Sequence, residues 1–186
     1  KSEFHGVGGP LSVSDQRIQL PLLNEFQNAA EEFGIPKTKD FNTGDNHGCG
    51  YFQVTEKDGF RCSTSVGYLN PIKHRKNLKI ITKAHVKKIN FENKTAKEVE
   101  YWQNDELKKV QANKEIILSS GAIGSPQILQ VSGIGNSEKL KNLGINMVHD
   151  LKGVGENLQD HLMFRPIYKI HGIKSLNKKI NSLFGN

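Results

Sequence analysis

The sequence is poor in cysteine, in aromatic residues and in long apolar runs. Only two cysteines occur in 186 residues, and aromatic residues make up 8% of the chain. The cysteines form no CxxC pair and have no histidine pair beside them, so the spacing of a zinc site is absent. No uninterrupted apolar stretch approaches the roughly 20 residues of a membrane-spanning helix. With 35% hydrophobic residues, the composition predicts a soluble chain with a modest core and no membrane span.

Arginine is also scarce, although the chain is basic. The net charge is +7 and the pI is about 9.3. The lysines are scattered along segments that alternate with apolar residues, which is typical of a solvated face. A nucleic-acid interface would instead cluster arginines or interleave basic and aromatic residues. The sequence therefore predicts no nucleic-acid partner, and its four arginines are Arg17, Arg61, Arg75 and Arg165.

The first residues, KSEFHGVGGP, contain neither an initiator Met nor an apolar signal-peptide region. We therefore expect that further sequence precedes Lys1. Cys49 and Cys62 would form one disulfide in a secreted protein, or two free buried thiols otherwise. The single sequon, Asn93-Lys94-Thr95, matters only in a secreted protein, and together these features weakly favour an extracellular location.

Helical spacing of apolar residues predicts a helix over 21–33. Pro21 suits its first turn, and Gly34 suits the position just past its end. YFQVT and FRCS, which flank a turn ending in Asp58-Gly59, predict a β-hairpin. A short helix is expected at 63–69, ending before Asn70-Pro71 because the residue before proline avoids the α region.

Five β-rich runs follow between residues 78 and 118: LKIIT, AHVKKINF, KEVEYWQ, LKKVQ and KEIIL. The middle runs alternate apolar and polar residues and predict a half-exposed antiparallel meander, with turns at Asn93-Lys94 and Asn104-Asp105. The last run places three apolar residues in a row at 116–118, which is typical of a strand buried on both faces of a parallel sheet. Further on, Ser137 is expected to cap a short helix that runs to Leu143 and is closed by Gly144.

The stretch GAIGSPQILQVSGIG, residues 121–135, combines a tight loop with a helix start. Gly121 permits a turn that a residue with a Cβ would resist. Ser125 is expected to cap a helix whose first residue is Pro126, and Gly133 is expected to end it. Neither GxxxxGK[ST] nor a GxGxxG that opens a helix is present. The residues alone leave two interpretations, a contact with a cofactor or a crossover that simply needs glycine.

This stretch resembles the second signature of the glucose–methanol–choline (GMC) flavoprotein oxidoreductases. HGVGGPLSVS, GYLNP, RKNLKIITKAHVKKINF and VGENLQDH resemble other family segments in the same order, so the resemblance covers about residues 5 to 161. The sequences of these segments are similar to those of animal glucose-dehydrogenase-like members of the family. The signature residues are Gly121, Ser125, Pro126, Ser132, Gly133, Ile134 and Gly135.

The resemblance implies an α/β fold. It implies part of a Rossmann-like FAD-binding domain with an antiparallel β-meander, and part of an α+β substrate domain. Residues 1–72 would belong to the substrate domain, residues 73–161 to the FAD-binding domain, and residues 162–186 to the start of a return into the substrate domain.

The resemblance also implies a reaction. Family members bind FAD and oxidise the CH–OH group of an alcohol or sugar by passing a hydride to the flavin; the electron acceptor stays unknown. The family's catalytic histidine pair lies near its C-terminus, and neither His161 nor His171 matches it. We therefore expect a middle fragment of a longer enzyme, with no catalytic residue of its own. The alternative is a non-catalytic relative that acts as a binding or structural protein.

Two residues are implied as cofactor contacts. Val86 matches the family position whose backbone touches the adenine of FAD, and a backbone contact tolerates an apolar side chain because the N–H and C=O form the hydrogen bonds. Gly121 matches a position close to the ADP half of FAD. Asn157, Asp160 and His161 resemble a segment near the flavin, where Asp160 would satisfy backbone groups of its loop.

Overall fold

The computed structural model describes residues 2–173 and Asn177, and the chain separates into two compact units. The first contains the described residues up to Lys79 and those from Pro166 onward, and the second is Ile80–Arg165. In the described part of the chain, no helix has the length and apolar character that spanning a bilayer requires. Cys49 is half-buried, Cys62 is buried, and both are free thiols.

In the first unit, helix α1 spans Pro21–Glu32. Proline stands at its first turn, and Gly34 follows its end with a φ of +94°. The hydroxyl of Tyr51 donates to Asn24 Oδ1 at 2.8 Å and accepts the Leu20 N–H at 3.2 Å, which ties the start of α1 to a distant segment. The helix predicted over 21–33 is therefore confirmed.

The predicted hairpin is confirmed, but its strands are only two residues long. Strand β1 is Glu56–Lys57 and strand β2 is Phe60–Arg61. Asp58 and Gly59 form the turn with φ values of 53° and 87°, the left-handed pair that two-residue hairpins favour. The short helix expected at 63–69 is a π-helical segment, Ser65–Leu69.

The second unit begins with a three-stranded antiparallel meander in the order β3–β4–β5, with strands His85–Glu92, Thr95–Gln103 and Glu106–Gln111. Asn93-Lys94 and Asn104-Asp105 form the two turns, and all four residues have positive φ. Ile89 and Tyr101 are buried on one face of the sheet. The meander and both of its turns are confirmed.

The first and last of the five β-rich runs are not strands, so those two predictions are wrong. Residues 78–82 and 114–118 have no strand assignment, and Ile117 is 78% exposed. A strand needs a neighbour to accept and donate its backbone hydrogen bonds. Neither run pairs with another strand among the described residues. Apolar content indicated a buried face, but it does not supply the partner strand.

The remaining elements are α2 (Gly121–Val131), β6 (Ile134–Gly135), α3 (Ser137–Asn142) and β7 (His149–Asp150), with β6 parallel to β7. Leu140 of α3 is 1% exposed and anchors this part of the core. Gly133 follows α2 with a φ of +91°, as predicted. A Cβ there would lie 2.4 Å from the Asn146 carbonyl oxygen, so only glycine fits this approach.

Two predicted helix caps are wrong. Helix α2 begins at Gly121, so Ser125 and Pro126 lie inside it, and Ser125 Oγ accepts the Ser120 N–H at 3.0 Å instead of capping. The cap of α3 is Asn136, whose side chain accepts the Lys139 N–H at 3.1 Å. Several Ser and Asn residues stand near each start, and local sequence does not choose between them.

Candidate functional site

The start of α2 has backbone groups that its own side chains do not cap. Ser120, at the N-cap position, makes no capping hydrogen bond, and Gly121 has a φ of +83°. The first N–H groups of a helix have no partner within the helix. They lie at the positive end of its dipole, which favours anions. A Cβ built on Gly121 would meet nothing within 4 Å, so the positive φ alone explains the glycine.

Val86 lies in β3 beside a β-bulge. It pairs with Tyr101, the next pair is Lys88 with Glu100, and Lys87 is the extra residue. Lys87 Nζ lies 5.7 Å from the centroid of the Trp102 ring. A bulge bends its strand and re-aims neighbouring groups. Because β3 is an edge strand, half of its backbone groups face away from β4 and are available to other partners.

A charged network binds the three strands together on the face opposite Ile89. Asn90 Nδ2 donates to Glu98 Oε1 at 2.7 Å and to Glu100 Oε1 at 2.8 Å, and Lys109 Nζ lies 3.1 Å from both carboxylates. The hydrogen bond from Asn90, followed by that from Lys109, lowers the pKa of Glu100 to about 2. The same two bonds lower the pKa of Glu98, and the carboxylates raise the pKa of Lys109.

This network stabilises the sheet and is not a separate reactive site. Every acidic group in it receives a hydrogen bond from Asn90 and a contact from Lys109. Carboxylates held ionised in this way are poor proton donors at neutral pH. The network therefore keeps the bulged strand β3, with Val86, in register with β4.

Helix α2 packs against β3, and one hydroxyl joins them directly. Ser132 Oγ accepts the Ile89 N–H at 2.8 Å and donates to the Ile128 carbonyl at 2.5 Å. Ser132 is one of the signature residues, but its sequence position predicted no role for it. The only feature of the local sequence that could indicate this contact is that a polar residue stands between the apolar end of α2 and Gly133.

A groove of about 620 Å³ runs between α2 and the loop at Gly155–Gln159. Gln130 Nε2 donates to the Val154 carbonyl at 3.1 Å and holds the loop against the helix. Gly155 has a φ of +82°, and a Cβ there would lie 2.5 Å from Gln130 Nε2. Ile123 and Leu158 line the groove and are 73% and 69% exposed. The groove therefore adjoins the start of α2, and its lining combines apolar side chains such as Ile123 and Leu158 with several amides and the carboxylate of Glu156.

The segment around Asp160 is placed on the same loop. Asp160 Oδ1 accepts the His161 N–H at 2.7 Å, so it satisfies a backbone group as expected. Both residues are exposed, and Asn157 has a φ of 54°.

In the first unit, His5 Nε2 lies 3.0 Å from Asp40 Oδ2 and its Nδ1 lies 2.9 Å from Ser2 Oγ. Within residues 2–173 and 177, no cluster of side chains is suited to a metal ion.

A helix start with unpartnered N–H groups can bind an anion, and the phosphates of a nucleotide cofactor are anions. Comparison with known proteins makes the assignment specific. The GMC oxidoreductase family model matches residues 1–163, and this chain belongs to that family.

The relatives that match include dehydrogenases. The chain is 44% identical over 164 residues to an alcohol dehydrogenase [acceptor] of Pseudomonas putida, covering 87% of this chain and 30% of that protein. It is 44% identical over 161 residues to the mitochondrial choline dehydrogenase of Homo sapiens, covering 87% and 27%. The chain therefore spans less than a third of the length of these relatives.

Solved structures agree with the family. An FAD-dependent oxidoreductase from Chaetomium thermophilum matches with a TM-score of 0.81 and 34% identity, over 86% of this chain and 28% of that one. Pyridoxine 4-oxidase, described as from Mesorbium loti, matches with a TM-score of 0.73 and 29% identity, over 78% and 29%. The predicted α/β class with a Rossmann-like FAD-binding domain is confirmed at the level of fold.

Proposed function

We propose that this chain is part of an FAD-dependent oxidoreductase that oxidises a CH–OH group by hydride transfer to the flavin. The observation that carries the proposal is the family match over residues 1–163, together with 44% identity to alcohol and choline dehydrogenases. The geometry of the second unit agrees with a cofactor role. Its helix start favours an anion, and the pyrophosphate of FAD is one.

Within this chain we propose Val86 and Gly121 as the FAD contacts. The edge position of β3 supports Val86, since an edge strand has backbone N–H and C=O groups that do not bond its neighbour. The positive φ of Gly121 and the open space around it support a close approach of the ADP half to the backbone. When bound, FAD supplies the hydride acceptor, and the protein supplies orientation and electrostatics. We assign no catalytic acid or base to this chain.

For the substrate we propose a small alcohol, with an electron acceptor that stays open. The names of the alcohol and choline dehydrogenases above support this class. The finer resemblance to animal glucose-dehydrogenase-like members adds sugars as candidates, although the relatives described above are dehydrogenases of alcohol and choline. We further propose that residues 73–161 belong to the FAD-binding domain, and that residues 1–72 and 162–186 belong to the substrate domain.

We further propose an extracellular location. Asn93 and Lys94 form the exposed turn between β3 and β4, so the sequon is accessible to modification. The measurement is a glycosidase-dependent change in the mass of the native protein. A native protein that carries no glycan at Asn93 and is recovered only from inside cells would contradict the location.

The test of the function uses the complete protein. After purification, its visible absorbance is recorded, the cofactor is released by denaturation, and its mass is measured. Alcohols, choline and sugars are then offered with an artificial electron acceptor. We expect bound FAD and bleaching of the flavin by at least one alcohol. A colourless protein would contradict the proposal. A protein that binds FAD but is reduced by no CH–OH donor would favour the non-catalytic alternative.

A further inference from the structure

Ser132 is a buried serine whose hydroxyl donates one hydrogen bond and accepts another, joining α2 to β3. Its side chain is 7% exposed. In the described part of the chain, Glu100 is the only other polar or charged residue that is buried. A serine hydroxyl carries one proton to donate, and Ser132 donates it to Ile128 of its own helix while accepting the Ile89 N–H. No solvent contact is needed to satisfy it.

The bond to Ile89 is directional, unlike the apolar packing around it. Ile89 is 6% exposed, so its outward N–H would otherwise be buried without a partner, which costs free energy. Apolar packing is non-directional and tolerates small sliding movements. A hydrogen bond of 2.8 Å between the end of α2 and one residue of β3 does not tolerate such sliding. It therefore fixes the position of α2 along the direction of β3.

The two elements joined by Ser132 are those that carry the proposed FAD contacts. Val86 precedes Ile89 by three residues, about 10 Å along a strand. Gly121 precedes Ser132 by eleven residues, about 16 Å along a helix. Ser132 is therefore distant from both contacts, and its effect on them is exerted through the elements. Binding sites depend on such positions to within about 0.5 Å.

We propose that Ser132 is a positioning residue of the FAD site, which sets the register between the helix bearing Gly121 and the strand bearing Val86. The proposal rests on the proposed function, since it assumes that FAD bridges these two elements. It predicts that the Ser132 hydroxyl affects cofactor affinity beyond its effect on folding.

The test compares Ser132→Ala with Ser137→Ala in the complete protein. Ser137 is the first residue of α3, and its hydroxyl makes no hydrogen bond in the described part of the chain, so it is a matched control. FAD is removed, and its dissociation constant is measured by titration at a temperature where circular dichroism shows each apoprotein to be folded. We expect Ser132→Ala to weaken FAD about 10-fold, because misplacing a supporting element typically costs one to two orders of magnitude. Ser137→Ala should be unchanged within a factor of about two.

The outcomes separate the two proposals. If the wild-type protein binds no FAD, the proposed function fails, and the role of Ser132 fails with it. If the wild type binds FAD and Ser132→Ala melts earlier but binds FAD equally well, Ser132 is only structural and this proposal alone is overturned. If Ser132→Ala does not fold, Ser132→Cys, which keeps the size but bonds weakly, replaces it and should weaken FAD in the same direction. An unchanged dissociation constant in that variant overturns the proposal.

Discussion

Two regions of the second unit are organised differently. The meander β3–β5 is closed by two short turns, paired along its strands except at the two register shifts between β3 and β4, and held by a charged network of its own side chains. The region from residue 112 to residue 159 is held by single contacts between residues far apart in sequence, such as Ser132 with Ile89 and Gln130 with Val154. The first region is specified locally, and the second depends on a few individual side chains.

The largest expected effect on stability concerns the dependence of the second region on individual side chains. Leu140, which is 1% exposed, is the side chain that tests it. Leu140→Ala leaves a cavity in the small core beneath α3 and should lower the free energy of unfolding by about 2–5 kcal/mol. Val110→Ala in the meander is the comparison at an exposed side chain, because Val110 is 46% exposed and should cost well under that amount. Denaturant unfolding measures both. Equal losses would mean that Leu140 contributes no more to stability than an exposed side chain does.

The next effect tests the helix start at Gly121. A residue with a Cβ in the left-handed region costs about 1–2 kcal/mol, and a β-branched residue fits it least. Gly121→Val should therefore move this turn out of the left-handed region in the free protein, and restoring the turn on binding, at about 1.4 kcal/mol, should weaken FAD about 10-fold in the complete protein. The dissociation constant of FAD is the measurement.

Gly153→Val provides the control for this substitution. Gly153 has no positive φ, and a Cβ there meets nothing within 4 Å. It should bind FAD as the wild type does. Equal weakening by both variants would mean that the conformation of Gly121 has no special importance.

A third prediction concerns pH and applies to the meander. The pKa of Glu100 is lowered from 4.5 to about 2 in the folded protein, chiefly by the hydrogen bond from Asn90. A lowered folded-state pKa gives stability that is fully present above the unfolded value and is lost as the pH falls toward the folded value. The meander should therefore lose stability between about pH 5 and about pH 2.

Glu100→Gln should flatten this dependence, whereas Glu92→Gln, at an exposed carboxylate with no hydrogen bond in the described residues, should leave it intact. Denaturant midpoints across the pH series are the readout. A wild-type midpoint that stays constant down to about pH 2 would argue against the network.

The smallest expected effect is a gain in stability. Lys94 has a φ of 67° in the turn between β3 and β4, where glycine is the preferred residue. Lys94→Gly should raise the free energy of unfolding by about 0.5–1 kcal/mol, because the left-handed strain of a side chain is removed. Val110→Gly, at a residue of β5 that pairs with Val99 of β4, should lower it. Thermal melting of a non-glycosylated preparation tests both, and a loss at Lys94 would contradict the turn assignment.

The difference between the regions also explains which features could be predicted. Pro21, the Asp58-Gly59 turn and the Asn-containing turns of the meander were predicted correctly, because backbone preferences at those residues decide the structure locally. The strand expected at 114–118 was wrong, because a strand requires a partner and Ile117 has none in the described chain. The cap at Ser125 was wrong because the helix begins four residues earlier, at Gly121, so Ser125 lies inside it.

The site itself was predictable only in part. Both Val86 and Gly121 are proposed as FAD contacts from the family resemblance, and the position of Gly121 after an apolar run predicted only a tight turn. The bulge at Lys87 depends on the pairing of β3 with β4, and pairing offsets are invisible in one strand's sequence. The roles of Ser132 and Gln130 depend on residues 43 and 24 positions away, Ile89 and Val154. Such long-range contacts leave no local pattern.

The central claim is that the strand edge at Val86 and the helix start at Gly121 together hold the cofactor. A structure of the complete protein with FAD tests it most directly. We expect the adenine within about 3 Å of a backbone N–H or C=O of Val86, with the ADP half against Gly121. FAD bound with its adenine away from β3, and with no part of it beside the start of α2, would contradict the claim.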